Sequence, residues 1–132
     1  IFNVLVGNSD GHAKNVSLLQ DSRGRWQIAP AYDLVGTIVL GYDSDMAFSL
    51  GGEFNSMQLL PRDWQAFSEE GRFSYPFVKR QIQQMVTMLA DLSDSVILKE
   101  QLQQAGLEGK GWTRLQQQRQ HIQKQCRRAE RW

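Results

Sequence analysis

Apolar positions divide this chain into two regimes. Before Pro61 they come in short runs separated by polar or glycine-rich stretches; after it they recur at the spacing of a helical face. The opening Ile1-Phe2-Asn3-Val4-Leu5-Val6 is too short and continuous for periodicity to decide between a buried helix and a buried strand. After the polar stretch Gly7–Asn15, Val16-Ser17-Leu18-Leu19 and Trp26-Gln27-Ile28 read as two short strands. Asp21-Ser22-Arg23-Gly24 between them supplies the residues that favour a tight turn, so the segment is expected to be a small hairpin. Pro30-Ala31-Tyr32-Asp33 reads as a loop, and the glycine-rich region 36–52 shows no sustained helical period.

From Pro61 helices take over. Trp64, Phe67 and Glu69-Glu70 lie among good helix formers, with proline at the first turn. Val78, Ile82, Met85, Val86 and Leu89 mark one face of a second helix, with Ser74 as its cap and Pro76 in its first turn. A third is expected from Ser93 to about Ala105, ended by Gly106, where a residue without a Cβ best adopts the left-handed cap. A glutamine-rich helix follows from about Trp112, with Leu115, Ile122, Cys126 and Ala129 as a narrow apolar seam. Trp26, Trp64 and Trp112 are expected in core or groove positions, and His121 on an exposed face. The fold expected is mainly α: one domain, 1–132, with a helical region 61–132 and a small β-hairpin.

Composition adds limits. No run approaches the eighteen or so consecutive apolar residues of a membrane span, and no charged segment precedes the apolar start, so neither membrane nor signal peptide is expected and the location expected is cytoplasmic. The chain starts without Met and at full hydrophobic strength, as if continued from a longer one. Cys126, the single cysteine, has no partner for a disulfide or a zinc site. Residues 1–71 carry four basic and nine acidic side chains and 72–132 eleven and five, an acidic half that suits a cation site and a basic half that reads as solvated helix faces. Lys79-Arg80 and Arg127-Arg128 are too few, and lack interleaved aromatics, so no direct nucleic-acid binding is expected.

The densest polar cluster is Gly7-Asn8-Ser9-Asp10-Gly11-His12-Ala13-Lys14-Asn15, with Asp10 and Asn15 five positions apart. Phosphoryl transfer to a hydroxyl needs a carboxylate that orients the nucleophile and accepts its proton, plus oxygen ligands for magnesium. Protein-kinase catalytic loops take the first from an Asp and part of the second from an Asn five residues on, and a downstream Asp beyond a short hairpin completes the metal site. Asp10, Asn15 and Asp33 fit those three places. Taken singly, each has a plainer use: an Asp-Gly pair serves turns, and Asn15 or Asp33 could cap local structure. Order, spacing and intervening hairpin together favour the kinase pattern.

With its G-N-S-D-G-H-A-K-N core, the segment Phe2–Leu19, followed by Ile28-Ala29-Pro30-Ala31-Tyr32-Asp33-Leu34, resembles the C-terminal region of HipA-family bacterial toxin kinases. The motifs occupy roughly the first quarter of the chain; beyond them only the helical pattern is similar. In that family a His stands two places after the Asp, as His12 does here. The resemblance implies that Ile1–Val6 ends a helix leading into a catalytic loop (7–15), with 28–34 the metal-Asp segment. It implies Asp10 as catalytic base, Asn15 and Asp33 as magnesium ligands, and His12 and Lys14 beside the phosphates of ATP. It also implies a serine/threonine kinase held by a DNA-binding antitoxin and acting on a protein of translation such as an aminoacyl-tRNA synthetase. The chain has no G-x-G-x-x-G or Walker-type loop and no phosphate-holding lysine ahead of Asp10, so an N-terminal kinase lobe is the expected partner. Alone, the chain is expected to fold, to be nearly inert toward ATP, and to pair as a homodimer or aggregate through the surface that meets that lobe. The alternative expectation is a non-enzymatic remnant that binds an antitoxin or a separate kinase half.

Overall fold

The computed structural model describes residues 1–132. The opening run is a helix, α1 (Phe2–Val6), as the resemblance implied. Gly7 ends it at φ 71°, in the left-handed region that favours glycine, and turns the chain into the polar loop. A single 3₁₀ turn, Ala13–Asn15, closes that loop.

The expected hairpin is present as β1 (Leu18–Gln20) and β2 (Trp26–Ile28), antiparallel with Leu19 opposite Gln27. Its turn is fixed by Asp21: one carboxylate oxygen accepts the N–H groups of Arg23 and Arg25, each at 2.9 Å, and the other meets the Arg25 guanidinium at 2.8 Å. The Arg25 backbone N–H first, and its side chain second, hold the Asp21 carboxyl below the usual carboxylate range. The hairpin is not packed into the core, and Trp26, expected in a core or groove, is 65% exposed. With only three residues per strand and no element against either face, the hairpin has nothing to bury it.

Region 36–52 holds more order than its glycines suggested. A 3₁₀ turn spans Thr37–Leu40, and a second hairpin pairs β3 (Asp45–Leu50) with β4 (Glu53–Asn55) through an irregular register. Met46, Phe48 and Leu50 alternate along β3, a strand signal short enough to be lost among the surrounding glycines, and Gly51 and Gly52 make the turn at positive φ.

Four helices complete the chain: α2 (Pro61–Glu70), α3 (Tyr75–Asp94), α4 (Val96–Gln104) and α5 (Gly109–Ala129). Ser74 caps α3 by accepting the Phe77 N–H, and Pro76 sits in the first turn. The expected start of the third helix at Ser93 is corrected: α3 continues to Asp94, and Ser95 caps α4 by accepting the Leu98 N–H. Either serine could cap; Ser93 instead donates to the Ala90 carbonyl inside α3. One face of α3 (Val78, Ile82, Val86, Leu89) packs on α5, where Cys126 and Ala129 are buried and Leu115 and Ile122 half-buried. Trp64 from α2 and Leu5 from α1 lie fully buried in the same core. No helix is long and apolar enough to cross a membrane.

His121 is not on an exposed face. Its ring packs where α5 passes Gly7, close enough that a Cβ on Gly7 would lie 2.6 Å from Nε2, and that nitrogen is buried without a partner. Burial first, then the Lys124 and Arg128 cations, push the imidazole below its ordinary value. The unfolded chain therefore takes up this proton more readily than the folded one. Stability tied to His121 is whole above about pH 6.5 and is lost as pH falls from there toward the lowered folded value. Denaturant unfolding of the chain at pH 7.5 and pH 5.5 should show this loss, and His121→Gln, which has no titrating ring, should show less of it.

Candidate active site

Residues 7–15 leave α1 at Gly7 and wrap across the segment that follows β2. The two meet at several places. At the near end, the Asn8 side-chain amide, buried, donates to the backbone carbonyl of Asp33 at 3.2 Å. At the far end, Asn15 Nδ2 donates to Asp33 Oδ2 at 2.6 Å. Between them in sequence, Ser9 binds Thr37 through its N–H and its hydroxyl, each at 2.8 Å. Tyr32 adds a brace, its hydroxyl donating to the Lys14 carbonyl at 2.8 Å and lying 2.8 Å from Ser17 Oγ.

Asp33 is held at φ 56°, a conformation that costs a non-glycine residue roughly 1 kcal/mol and that Asp tolerates better than most. The contacts from Asn8 and Asn15, one to its backbone and one to its carboxylate, hold the turn in place. Asn15 is itself oriented, because its Oδ1 accepts the His12 N–H at 3.0 Å; its amide nitrogen, not its oxygen, faces Asp33.

Asp10 projects into solvent with its side chain 70% accessible, and His12 Nε2 lies 4.0 Å from its Oδ1. The other ring nitrogen of His12, Nδ1, is buried without a partner. Lys14 is exposed on the 3₁₀ turn. Asn15 and Asp33 are thus in contact, Asp10 and His12 are adjacent, and Lys14 lies on the same loop. Asn8, Ser9, Tyr32 and Thr37 were not singled out from the sequence; Asn8 and Ser9 lie inside the first motif and Tyr32 inside the second, but nothing marks Thr37 until the chain folds.

The donor set suits a hard, hydrated cation. Asp33 Oδ1 has no protein partner, and Asn15 Oδ1, with one N–H on it, keeps a second lone pair. No group of three or more His, Cys, Asp or Glu side chains converges to hold a metal, so magnesium at this pair would draw most of its ligands from water and phosphate, its usual habit.

Residues 1–96 match the HipA-like C-terminal domain family. A Sinorhizobium fredii protein, Y4mE, named as a proposed kinase, is 36% identical over 92 residues, which cover 69% of this chain and 22% of that protein. Among solved structures, the complex of the Shewanella oneidensis toxin–antitoxin proteins HipA and HipB with operator DNA contains a chain that is 20% identical and superposes with a TM-score of 0.80 over 96% of this chain, a likeness of fold. This chain spans 29% of that structure's chain, so it is similar to about a fifth to a third of each relative.

Proposed function

Since this chain belongs to the HipA-like C-terminal domain family, we propose that it is the catalytic part of an ATP- and magnesium-dependent serine/threonine protein kinase of a toxin–antitoxin system. The observation that carries the reading is the contact between Asn15 and Asp33: two oxygen-bearing side chains eighteen residues apart meet across a hairpin, on the loop that presents Asp10.

In this reading Asp10, open to solvent, accepts the proton of a serine or threonine hydroxyl as that oxygen attacks the terminal phosphorus of ATP, whose bond to the bridging oxygen breaks to release ADP. Asn15 and Asp33 would hold magnesium through side-chain oxygens. When bound, magnesium neutralises charge on the phosphates. His12 and Lys14 stand beside the phosphates, His12 having an unpartnered buried nitrogen and Lys14 an exposed cation on the same loop.

The rest of the site belongs to other chain segments. An N-terminal lobe would supply the phosphate lid and lysine, and the apolar β1–β2 hairpin, with Leu18, Trp26 and Ile28 exposed beside Asp33, is a surface it can cover. On the family resemblance the whole protein is cytoplasmic, is restrained by a DNA-binding antitoxin, and modifies a protein of translation, with an aminoacyl-tRNA synthetase the leading class.

Calorimetric titration with ATP tests this. The 132-residue chain alone should give no sub-millimolar binding of magnesium-ATP, because one carboxylate and one amide leave the cation mostly hydrated and nothing contacts the adenine. A full-length protein carrying the chain should bind it, and Asp33→Ala in that protein should weaken binding about tenfold or more with magnesium yet leave binding in excess EDTA unchanged. An Asp33→Ala protein that binds magnesium-ATP as tightly as its parent removes Asp33 from the metal site.

A further inference from the structure

We infer that Thr37 is a positioning residue that sets the distance between Asp10 and Asp33; the inference rests on the phosphoryl-transfer reading above and adds a residue to it. Thr37 opens the 3₁₀ turn four positions after Asp33 and is 8% exposed, although it is polar and lies in a loop. Its hydroxyl makes three contacts, all with the start of the catalytic loop. It donates to the Gly7 carbonyl at 3.2 Å and accepts the Ser9 N–H at 2.8 Å. With its one proton committed to Gly7, the 2.8 Å contact with Ser9 Oγ must have Ser9 as donor. A single oxygen therefore gathers the residue that ends α1 and the residue that precedes Asp10.

The turn that carries Thr37 is anchored on the helical core. Gly36 lies flush against the Gln118 amide of α5, where any Cβ would collide, and Gln118 Nε2 donates to the Val6 carbonyl at 2.7 Å. Gln118 thus registers both the end of α1 and the turn after Asp33 against one helix, and the Thr37 hydroxyl bonds across the two. The Asn15–Asp33 contact sits at the other end of the loop and does not depend on Thr37. Removing the Thr37 hydroxyl should therefore leave the metal pair intact and free the Ser9–Asp10 stretch. The Gly7 carbonyl would still accept the Ile38 N–H, and the Ser9 carbonyl the Ala47 N–H, so the loop would remain folded. The Ser9 N–H and hydroxyl would lose their partner in a part-buried place, and the backbone would shift to satisfy them.

The test uses the full-length protein, with ADP release from magnesium-ATP as the rate and thermal unfolding as the fold control. Thr37→Val, equal in shape but without the hydroxyl, should lower kcat about 10- to 100-fold, the effect of misplacing a reacting group by a fraction of an ångström to one ångström. KM for magnesium-ATP should stay within about twofold, and Thr37→Ser should restore most of kcat. If Thr37→Val does not fold, Ser9→Ala removes only the hydroxyl–hydroxyl bond and should lower kcat in the same direction by less. A kcat per folded molecule equal to the parent's in whichever of these variants folds, or a Thr37→Ser as slow as Thr37→Val, overturns the inference. Asp10→Asn separates this from failure of the underlying reading: if it leaves ADP release unchanged the kinase reading falls, whereas an inert Asp10→Asn beside an unaffected Thr37→Val sinks the positioning role alone.

Discussion

Replacing Asp10 by Asn in a full-length protein that carries this chain should slow phosphoryl transfer about 10²- to 10⁴-fold, the usual worth of a positioned general base. The substitution keeps the shape of the side chain and removes only its ability to take a proton. It should not disturb the fold, because the Asp10 side chain is 70% accessible and His12 Nε2, the basic group facing it, stands off at 4.0 Å; changes at such positions usually stay within about 0.5 kcal/mol. Nor should it disturb nucleotide binding, because the Asn15–Asp33 pair lies elsewhere on the loop. The signature is a fall in kcat with KM for ATP and the melting temperature near those of the parent, read by single-turnover transfer of the γ-phosphate. A variant that transfers phosphate at close to the parent rate would leave Asp10 outside the reaction.

Features whose cause is local were legible in the sequence. Asp21 and Gly24 make the first hairpin's turn from within five residues, Ser74 and Pro76 start α3 from its own first turn, and the face Val78, Ile82, Val86, Leu89 follows from helical period alone. The contact of Asn15 with Asp33 was expected for another reason: their order and spacing follow a kinase-like pattern, where local propensity left no sign. What stayed hidden depends on contacts between distant segments. Thr37 is an ordinary residue in an aperiodic stretch until α5 brings its turn against Gly7. His121 sits in a polar helix and looks exposed until α1 ends beside it, and Trp26 looks like core until the hairpin turns out to have nothing packed on it. Capping chemistry could not separate Ser93 from Ser95, since both are serines at the same helix junction.

Trp64→Ala should be the most destabilising single change in the core, at about 3–5 kcal/mol. The Trp64 side chain is fully buried near the start of α2, with the Trp132 ring 5.2 Å away and tilted by 40° and the Phe67 ring edge-on at 6.0 Å. Truncation would remove the ring that joins these two and leave a cavity that α2, held by its own hydrogen bonds, cannot collapse to fill. Against a total stability of roughly 5–15 kcal/mol, that loss should lower the melting temperature of the chain by about 10–20 °C. The indole N–H is buried with no acceptor, a cost of about 1–3 kcal/mol that the native core already bears. Trp64→Phe keeps an aromatic ring and relieves that cost, so it should lie within about 1.5 kcal/mol of the parent. Urea unfolding of the three proteins measures both differences; an Ala variant as stable as the Phe variant would mean that the ring is not what holds α2 to the core. Because Leu5 of α1 belongs to the same cluster, the loss should reach the loop that carries Asp10, but only through the fraction of molecules folded. In the full-length protein kcat per folded molecule should stay unchanged for Trp64→Ala while it collapses for Asp10→Asn, which separates the core that carries the loop from the carboxylate that it presents.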